Sequence, residues 1–284
     1  GKKPVQLSTS FSHTIQYLFD FQTRDVDRDR RFLITGGSVG LAKRLQWPDD
    51  YFTFSQALSF QHYNLKNYNT GLFTFGDGYS NNLAYTVGLS RNNTATNPIY
   101  PKSGSSWSIT AKMTLPYSAF NGVDYNALRS ERDGLQDFLE DNPNSVDTRE
   151  RIAEIDQERF NWLEYYKIKF SGDWYTRITG DLVLRTQSEF GFLGAYNSLE
   201  LRYPITLSQL ASIYALTFVE GGAAYDGFRD YNPFRISRSA GAGLRIFMPA
   251  FGLLGIDFGY GFDPILGRSE ANGWETHFII GQQF

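Results

Sequence analysis

The chain has 284 residues, no Cys and a formal net charge of −3. The lack of Cys excludes a disulfide framework, a thiolate metal site and a cysteine nucleophile, and the near-balanced charge gives no electrostatic reason to expect a nucleic-acid partner. Aromatic residues make up 17%, with 18 Tyr and 24 Phe, which suits a surface that places rings at a water–lipid boundary.

No run of roughly 18 apolar residues occurs, so no helical membrane span is expected. The opening Gly1-Lys2-Lys3-Pro4 is followed by no apolar h-region, so no signal peptide is expected. A mean hydropathy of −0.37 fits a soluble domain and a membrane barrel alike, because a barrel needs only alternate residues to be apolar.

Period-2 alternation predicts twelve strands, over 4–18, 31–46, 51–66, 82–94, 105–118, 162–178, 181–195, 198–206, 211–225, 236–250, 253–262 and 274–284. In the first, Val5, Leu7, Thr9 and Phe11 oppose Gln6, Ser8, Ser10 and Ser12. In the third, Phe52, Phe54, Leu58 and Phe60 oppose Thr53, Ser55, Ser59 and Gln61. In the fifth, Trp107, Ile109, Ala111, Met113 and Leu115 oppose Ser108, Thr110, Lys112 and Thr114. The sixth sets Tyr166, Ile168, Phe170 and Trp174 against Lys167, Lys169, Ser171 and Asp173. The seventh sets Leu182, Leu184 and Phe190 against Arg185, Gln187 and Glu189. The eleventh and twelfth carry Leu254, Ile256, Phe258 and Tyr260, then Phe278, Ile280 and Phe284.

Many of these spans reach the roughly 9–11 residues that a tilted strand needs to cross a bilayer. The connections alternate in size. Short ones lie near Trp47–Asp50, Thr179–Asp181, Ser208–Ala211 and Phe251–Leu253, with an intermediate turn at Pro98–Ser106 on the same side. Long ones lie near 19–30, 67–81, 119–161, 226–235 and 263–273. That asymmetry belongs to membrane barrels. The expected fold is an all-β, antiparallel transmembrane β-barrel forming a single domain, 1–284. A soluble barrel with a charged exterior is the competing reading. In a membrane, Lys112, Lys167, Lys169, Arg185 and Glu189 must face the lumen and pair there, since a mid-membrane Lys or Arg costs roughly 2–4 kcal/mol. Phe52, Trp107 and Trp174 are expected to face lipid near strand ends.

Residues 124–161 break the alternation, within an insert at 119–161. Leu135, Phe138 and Leu139 fall at helical spacing, Asp141-Asn-Pro-Asn-Ser reads as a break, and Asp147 or Thr148 is the expected cap of a second helix. Its charge run, from Arg149 to Arg159, reads as a solvated helix face, with partner docking as the alternative.

Catalytic constellations are thin. His13, His62 and His277 sit in separate strands without metal-ligand spacing. Asp25, Asp27 and Asp29 alternate as in a calcium loop, but the required Gly and distal Glu are missing. No enzyme activity, metal or cofactor is expected.

Three segments resemble a known family. They are Ser198-Leu-Glu-Leu-Arg-Tyr-Pro-Ile, Leu216-Thr-Phe-Val-Glu-Gly-Gly-Ala-Ala-Tyr, and Ile236 through Asp263. With the turn Tyr100-Pro-Lys-Ser-Gly-Ser and the ending Thr276-His-Phe-Ile-Ile-Gly-Gln-Gln-Phe284, they resemble the BamA family of outer-membrane barrels, which insert other barrels into the bacterial outer membrane. The resemblance implies sixteen strands, of which twelve are visible, preceded by periplasmic POTRA domains. Gly1-Lys2-Lys3-Pro4 resembles the turn after the family's fourth strand. A luminal loop carrying a Val-Arg-Gly-Phe-type motif would fall between Asn197 and Ser198, where almost no connection is found.

The implied mechanism is a seam that opens sideways at the terminal strand, around Phe278, Ile280, Gly281 and Phe284, with Gly281 permitting close backbone approach. Implied partners are unfolded outer-membrane clients, accessory lipoproteins, surface partners on loops 67–81, 119–161 and 226–235, and membrane lipid including lipopolysaccharide. A passive pore, a polypeptide-translocating barrel and an adhesive barrel presenting its loops are the alternatives. The helical insert would favour the last.

Overall fold

The computed structural model describes residues 5–21, 24–94, 99–191, 194–208, 210–225, 232, 235–249, 251–265 and 267–281. Twelve antiparallel strands form one sheet in simple sequential order. They are β1 (Val5–Asp20), β2 (Asp25–Arg44), β3 (Phe52–Lys66), β4 (Gly78–Asn92), β5 (Gly104–Thr114), β6 (Tyr166–Thr179), β7 (Leu182–Gly191), β8 (Gly194–Leu207), β9 (Ser212–Ala224), β10 (Ser237–Met248), β11 (Gly252–Gly261) and β12 (Gly273–Gly281). Two helices, α1 (Tyr125–Asp141) and α2 (Val146–Phe160), lie between β5 and β6. No helix among the described residues is long and apolar enough to cross a membrane.

The strands follow from alternation combined with β-branched and aromatic residues at the apolar positions. In β1–β2 and from β6 to β12 the register keeps most apolar positions on one face, because side chains directly opposite in antiparallel strands share a face. In β1 and β2, Leu7 faces Leu41, Thr9 faces Val39 and Ile15 faces Leu33, while Ser8, Ser10 and Ser12 face Gly40, Ser38 and Gly36.

Three boundaries differ from the sequence expectation. The expected loop at 19–30 is mostly strand: β1 reaches Asp20 and β2 begins at Asp25, with a register shift between Tyr17 and Leu18. Alternating Asp and Arg at 25–31 disguise a strand whose side chains are largely exposed. The joint between β7 and β8 lies at 192–193, outside the described residues, and not at Asn197–Ser198. Both of those residues belong to β8, where Ser188 faces Asn197 and Gln187 faces Ser198. Finally, Ser145 precedes α2, ahead of the expected Asp147 or Thr148. Its hydroxyl lies 2.7 Å from that of Thr148. Asp124 caps α1 by accepting from the N–H groups of Asn126 and Ala127 at 3.0 Å each, the bond that satisfies free donors at a helix start.

The contacts divide the chain into two compact units. The first comprises Gly1–Lys43, Ser55–Val87 and Ala111–Tyr166, and the second Arg44–Phe54, Gly88–Thr110 and Lys167–Phe284. The first unit has a core of Phe32, Leu65, Phe73 and Phe75, against which Tyr63, Phe160 and Leu163 pack. Phe73 and Phe75, from the β3–β4 loop, thus hold the end of α2 through edge-to-face rings at 5.9 Å each. The helix pair is locked by Arg132, whose Nε donates to Asp156 at 2.7 Å. Asp156 is buried, so the charge run expected to be solvated is in part an interhelical ion pair. The second unit has a core of Tyr100, Val183, Tyr214 and Leu216.

Candidate functional site

The second unit separates two chemistries onto two faces. Register places Leu184, Leu201 and Thr217 in one cross-strand row, and Thr186, Leu199 and Val219 in the next. These belong to the apolar face, which stays exposed at Leu199, Leu201, Tyr203 and Val219. Trp174 lies on it beside Phe170, with ring centroids 6.1 Å apart. Phe52 and Trp107 meet edge to face at 5.6 Å.

The polar face carries a network of ion pairs. Arg185 donates from Nε to Asp173 at 2.7 Å and from Nη1 to Glu200 at 2.5 Å. Arg202 donates to Glu200 from Nε at 2.8 Å and from Nη2 at 2.5 Å. The Arg202 guanidinium also lies over the rings of Tyr175 and Tyr214, at 5.7 and 5.4 Å. Further along, Tyr196 and Ser239 donate to the two oxygens of Glu220 at 2.6 and 2.7 Å. Arg245 forms a two-point pair with Asp257 at 2.5 and 2.8 Å. Gly255, opposite Arg245, makes that pair possible: a Cβ there would lie 3.0 Å from Arg245 Cδ. Buried charges persist only when paired and hydrogen-bonded, and these are.

The five expected polar-face charges divide. Arg185 sits at the centre of the network. Glu189 accepts from Gln187 Nε2 at 3.1 Å. Lys112 lies 5.9 Å over the Tyr165 ring. Lys167 and Lys169 share the face of Asp173 by strand alternation but pair with no carboxylate among the described residues, so the expectation that all five pair is corrected. Asp173, Glu200, Arg202, Glu220 and Arg245 were not singled out by sequence. Their signal, opposite charges at alternate positions of successive strands, requires the register.

A second device closes the turn side. Tyr100 is fully buried, and its hydroxyl lies 2.9 Å from the Asp181 carbonyl and 2.8 Å from the Arg202 carbonyl, as donor to them. Burial pushes its pKa up to about 12. Next to it, Lys102 Nζ donates to Asp181 Oδ1 at 2.6 Å, which holds that carboxyl below its ordinary range.

The terminal strand β12 pairs with β11 and stands at one edge of the sheet order. Phe278 and Ile280 are 76% and 83% exposed on the apolar face. Gly281 faces Leu253, and among the described residues a Cβ there would meet the Leu253 carbonyl oxygen at 4.0 Å. Phe284 lies outside the described residues, as does Gly1-Lys2-Lys3-Pro4. His13, His62 and His277 stay apart: His13 meets Thr35, His62 meets Asn81, and His277 meets Glu275 at 3.4 Å. Among the described residues no group of three or more His, Cys, Asp or Glu side chains could hold a metal ion.

An all-β antiparallel sheet in sequential order, with long strands and one face apolar, is the fold class of the antiparallel β-barrels. Neither a protein-family model nor a curated protein matches the chain. Among solved structures it is similar to BamA from Haemophilus ducreyi lacking POTRA domains 1–3, at a TM-score of 0.60 and 13% identity. The likeness covers 97% of this chain and 58% of that one, so the chain spans little more than half the length of the BamA it matches. It is also similar to CdiB from Escherichia coli, at a TM-score of 0.47 and 12% identity, over 96% of this chain and 49% of that one. The likeness to the first of these is one of fold, an antiparallel β-barrel.

Proposed function

We propose that the chain is the barrel part of a factor that folds and inserts β-barrel proteins into the bacterial outer membrane, through a seam bordered by β12. The observation that carries the reading is the last strand β12, whose register on β11 leaves Phe278 and Ile280 exposed on the apolar face. An unpaired strand edge offers its N–H and C=O groups to another chain, and in lipid it must find a partner. A client's terminal strand pairing there would be β-augmentation. The fold likeness to BamA supports the same reading. The work is done by backbone hydrogen bonding, without covalent chemistry, cofactor or metal. The partners are unfolded barrel clients, accessory lipoproteins and membrane lipid, including lipopolysaccharide. Extracellular partners would meet loops 67–81, 119–161 and 226–235, most of the last lying outside the described residues.

A second reading, a passive pore or a polypeptide-translocating barrel, is favoured by the charged polar face, which would suit a water-filled lumen. Reconstitution separates the two. The full-length protein in liposomes is given an unfolded barrel client, with a Gly281→Val variant in parallel. Because a Cβ at Gly281 meets no close neighbour among the described residues, the variant tests the seam more than packing. Faster client folding than in empty liposomes, slowed by the variant, is the expected result. Acceleration indifferent to the variant would retain the insertase and release Gly281. Steady ion conductance without acceleration would replace this reading with the pore.

A further inference from the structure

The helical insert of the first unit encloses a cavity of about 320 Å³ between the start of α1, the end of α2 and the segment leading into β6. That volume lies at the lower end of the roughly 300–1,000 Å³ found for small-molecule sites. The rings of Phe160 and Trp162 form its apolar walls, and Tyr125, Arg129, Arg159 and Glu164 line the rest. Tyr125 and Arg129 stand one helical turn apart on α1 and so share a face.

The charges of this cavity do not cancel. Arg129 is exposed and pairs with no carboxylate among the described residues. The neighbouring acids are committed elsewhere: Glu131 accepts from Arg151 at 2.8 Å, and Asp156 from Arg132 at 2.7 Å. Arg159 reaches that same Asp156 oxygen at 3.5 Å, too long for a strong charge-assisted bond. The Tyr125 hydroxyl accepts from Asn121 Nδ2 at 2.7 Å, which leaves its own hydrogen to donate. One acceptor stands against these donors. Glu164 takes the N–H and the hydroxyl of Ser118, one on each oxygen, at 2.9 Å, and an ionised carboxylate has further lone pairs to offer. Two arginines against one glutamate leave the cavity a single positive charge.

This pattern selects a ligand of mixed character. Surplus arginine donors match an oxyanion, which guanidinium groups bind through charge-assisted hydrogen bonds. A bare anion would meet Glu164 as a like charge. The ligand must therefore bring hydroxyl donors for that carboxylate beside its acidic group, and carbon surface for Phe160 and Trp162. We propose that the cavity binds a sugar bearing a phosphate or a carboxylate, with the acidic group against Arg129 and Arg159 and ring hydroxyls toward Glu164 and Tyr125. The proposal needs only that the helical insert stand in water, which its exposed charge pairs favour, and it is independent of the insertase reading.

The test titrates the full-length protein in non-ionic detergent with glucose 6-phosphate, glucuronate, glucose and inorganic phosphate, each by isothermal titration calorimetry. At least one of the two acidic sugars is expected to bind tighter than both glucose and inorganic phosphate, by about fivefold for one solvent-exposed ion pair. Arg129→Gln, which breaks no ion pair among the described residues, removes most of the preference over glucose. Tyr125→Phe weakens the acidic sugar that binds. Arg151→Gln, on α2 but outside the cavity, leaves binding where it is and separates the site from general surface charge. Inorganic phosphate binding as tightly as either acidic sugar would mark a plain anion site and overturn the proposal. Glucose binding as tightly, no binding of either acidic sugar, or a preference indifferent to Arg129→Gln would overturn it as well. The titration uses no client, so it stands or falls apart from client folding in liposomes, which reads the insertase.

Discussion

Glu200→Gln is the substitution that most directly probes the polar face. The Glu200 carboxylate is 12% exposed and receives donors from Arg185 and Arg202, which are 16% and 9% exposed. The substitution keeps the shape but removes the only charge that both guanidiniums share. A hydrogen bond to a charged group contributes about 1.5–3 kcal/mol, and breaking a buried pair from one side costs about 3–5 kcal/mol. Arg185 retains Asp173 at 2.6 Å, and Arg202 retains its contacts with Tyr175 and Tyr214, so the lower end applies, about 3 kcal/mol. Urea unfolding of the full-length protein in detergent micelles, followed by Trp fluorescence and extrapolated linearly, measures it. A loss below about 1 kcal/mol, the range of exposed pairs, would refute the claim that these charges are desolvated on the polar face.

Tyr100→Phe removes a buried hydroxyl held by two carbonyls and should cost about 1–3 kcal/mol in the same assay; no change would mean that the clamp is incidental. Asp181 has a folded pKa lowered by Lys102, so its contribution is full above the unfolded value near ~3.9 and is lost as pH falls through the lower folded value; Lys102→Met should flatten the acid limb of stability against pH. Phe160→Ala should detach the end of α2 from Phe73 and Phe75, seen as faster hydrogen exchange in α1 and α2 with β8–β11 unchanged. Arg151→Gln, which removes exposed pairs with Glu131 and Glu154, should leave the unfolding midpoint where it is.

The strands were legible because alternation is a local signal: Trp107 to Leu115 and Leu254 to Tyr260 announce a face without any knowledge of neighbours. The hairpin at 19–30 was not, since Asp25 and Asp27 have weak strand propensity and are held by pairing with β1. The ion-pair network stayed hidden for a related reason. Arg185 was visible as a charge on a polar face, but its tie to Glu200 depends on register between strands, which a sequence does not print. The core of Phe32, Phe73 and Phe75 was hidden too, because two of its members lie in a loop whose only sequence mark is its length. The lateral seam was read from resemblance. The structure adds the exposed Phe278 and Ile280, and shows room for a Cβ at Gly281 on its β11 side among the described residues.

Because residues 1–284 contain no Cys, single cysteines placed along β8, at Ser198, Leu199, Glu200, Leu201, Arg202 and Tyr203, have no competing thiol within these residues when the protein is reconstituted in liposomes. Each is labelled with an environment-sensitive dye and challenged with a lipid-attached quencher and with a water-soluble one. Period-2 alternation is expected: lipid quenching at 199, 201 and 203, and aqueous quenching or protection at 198, 200 and 202. Aqueous quenching at all six positions, or no alternation between them, would contradict the placement of the apolar face against the membrane.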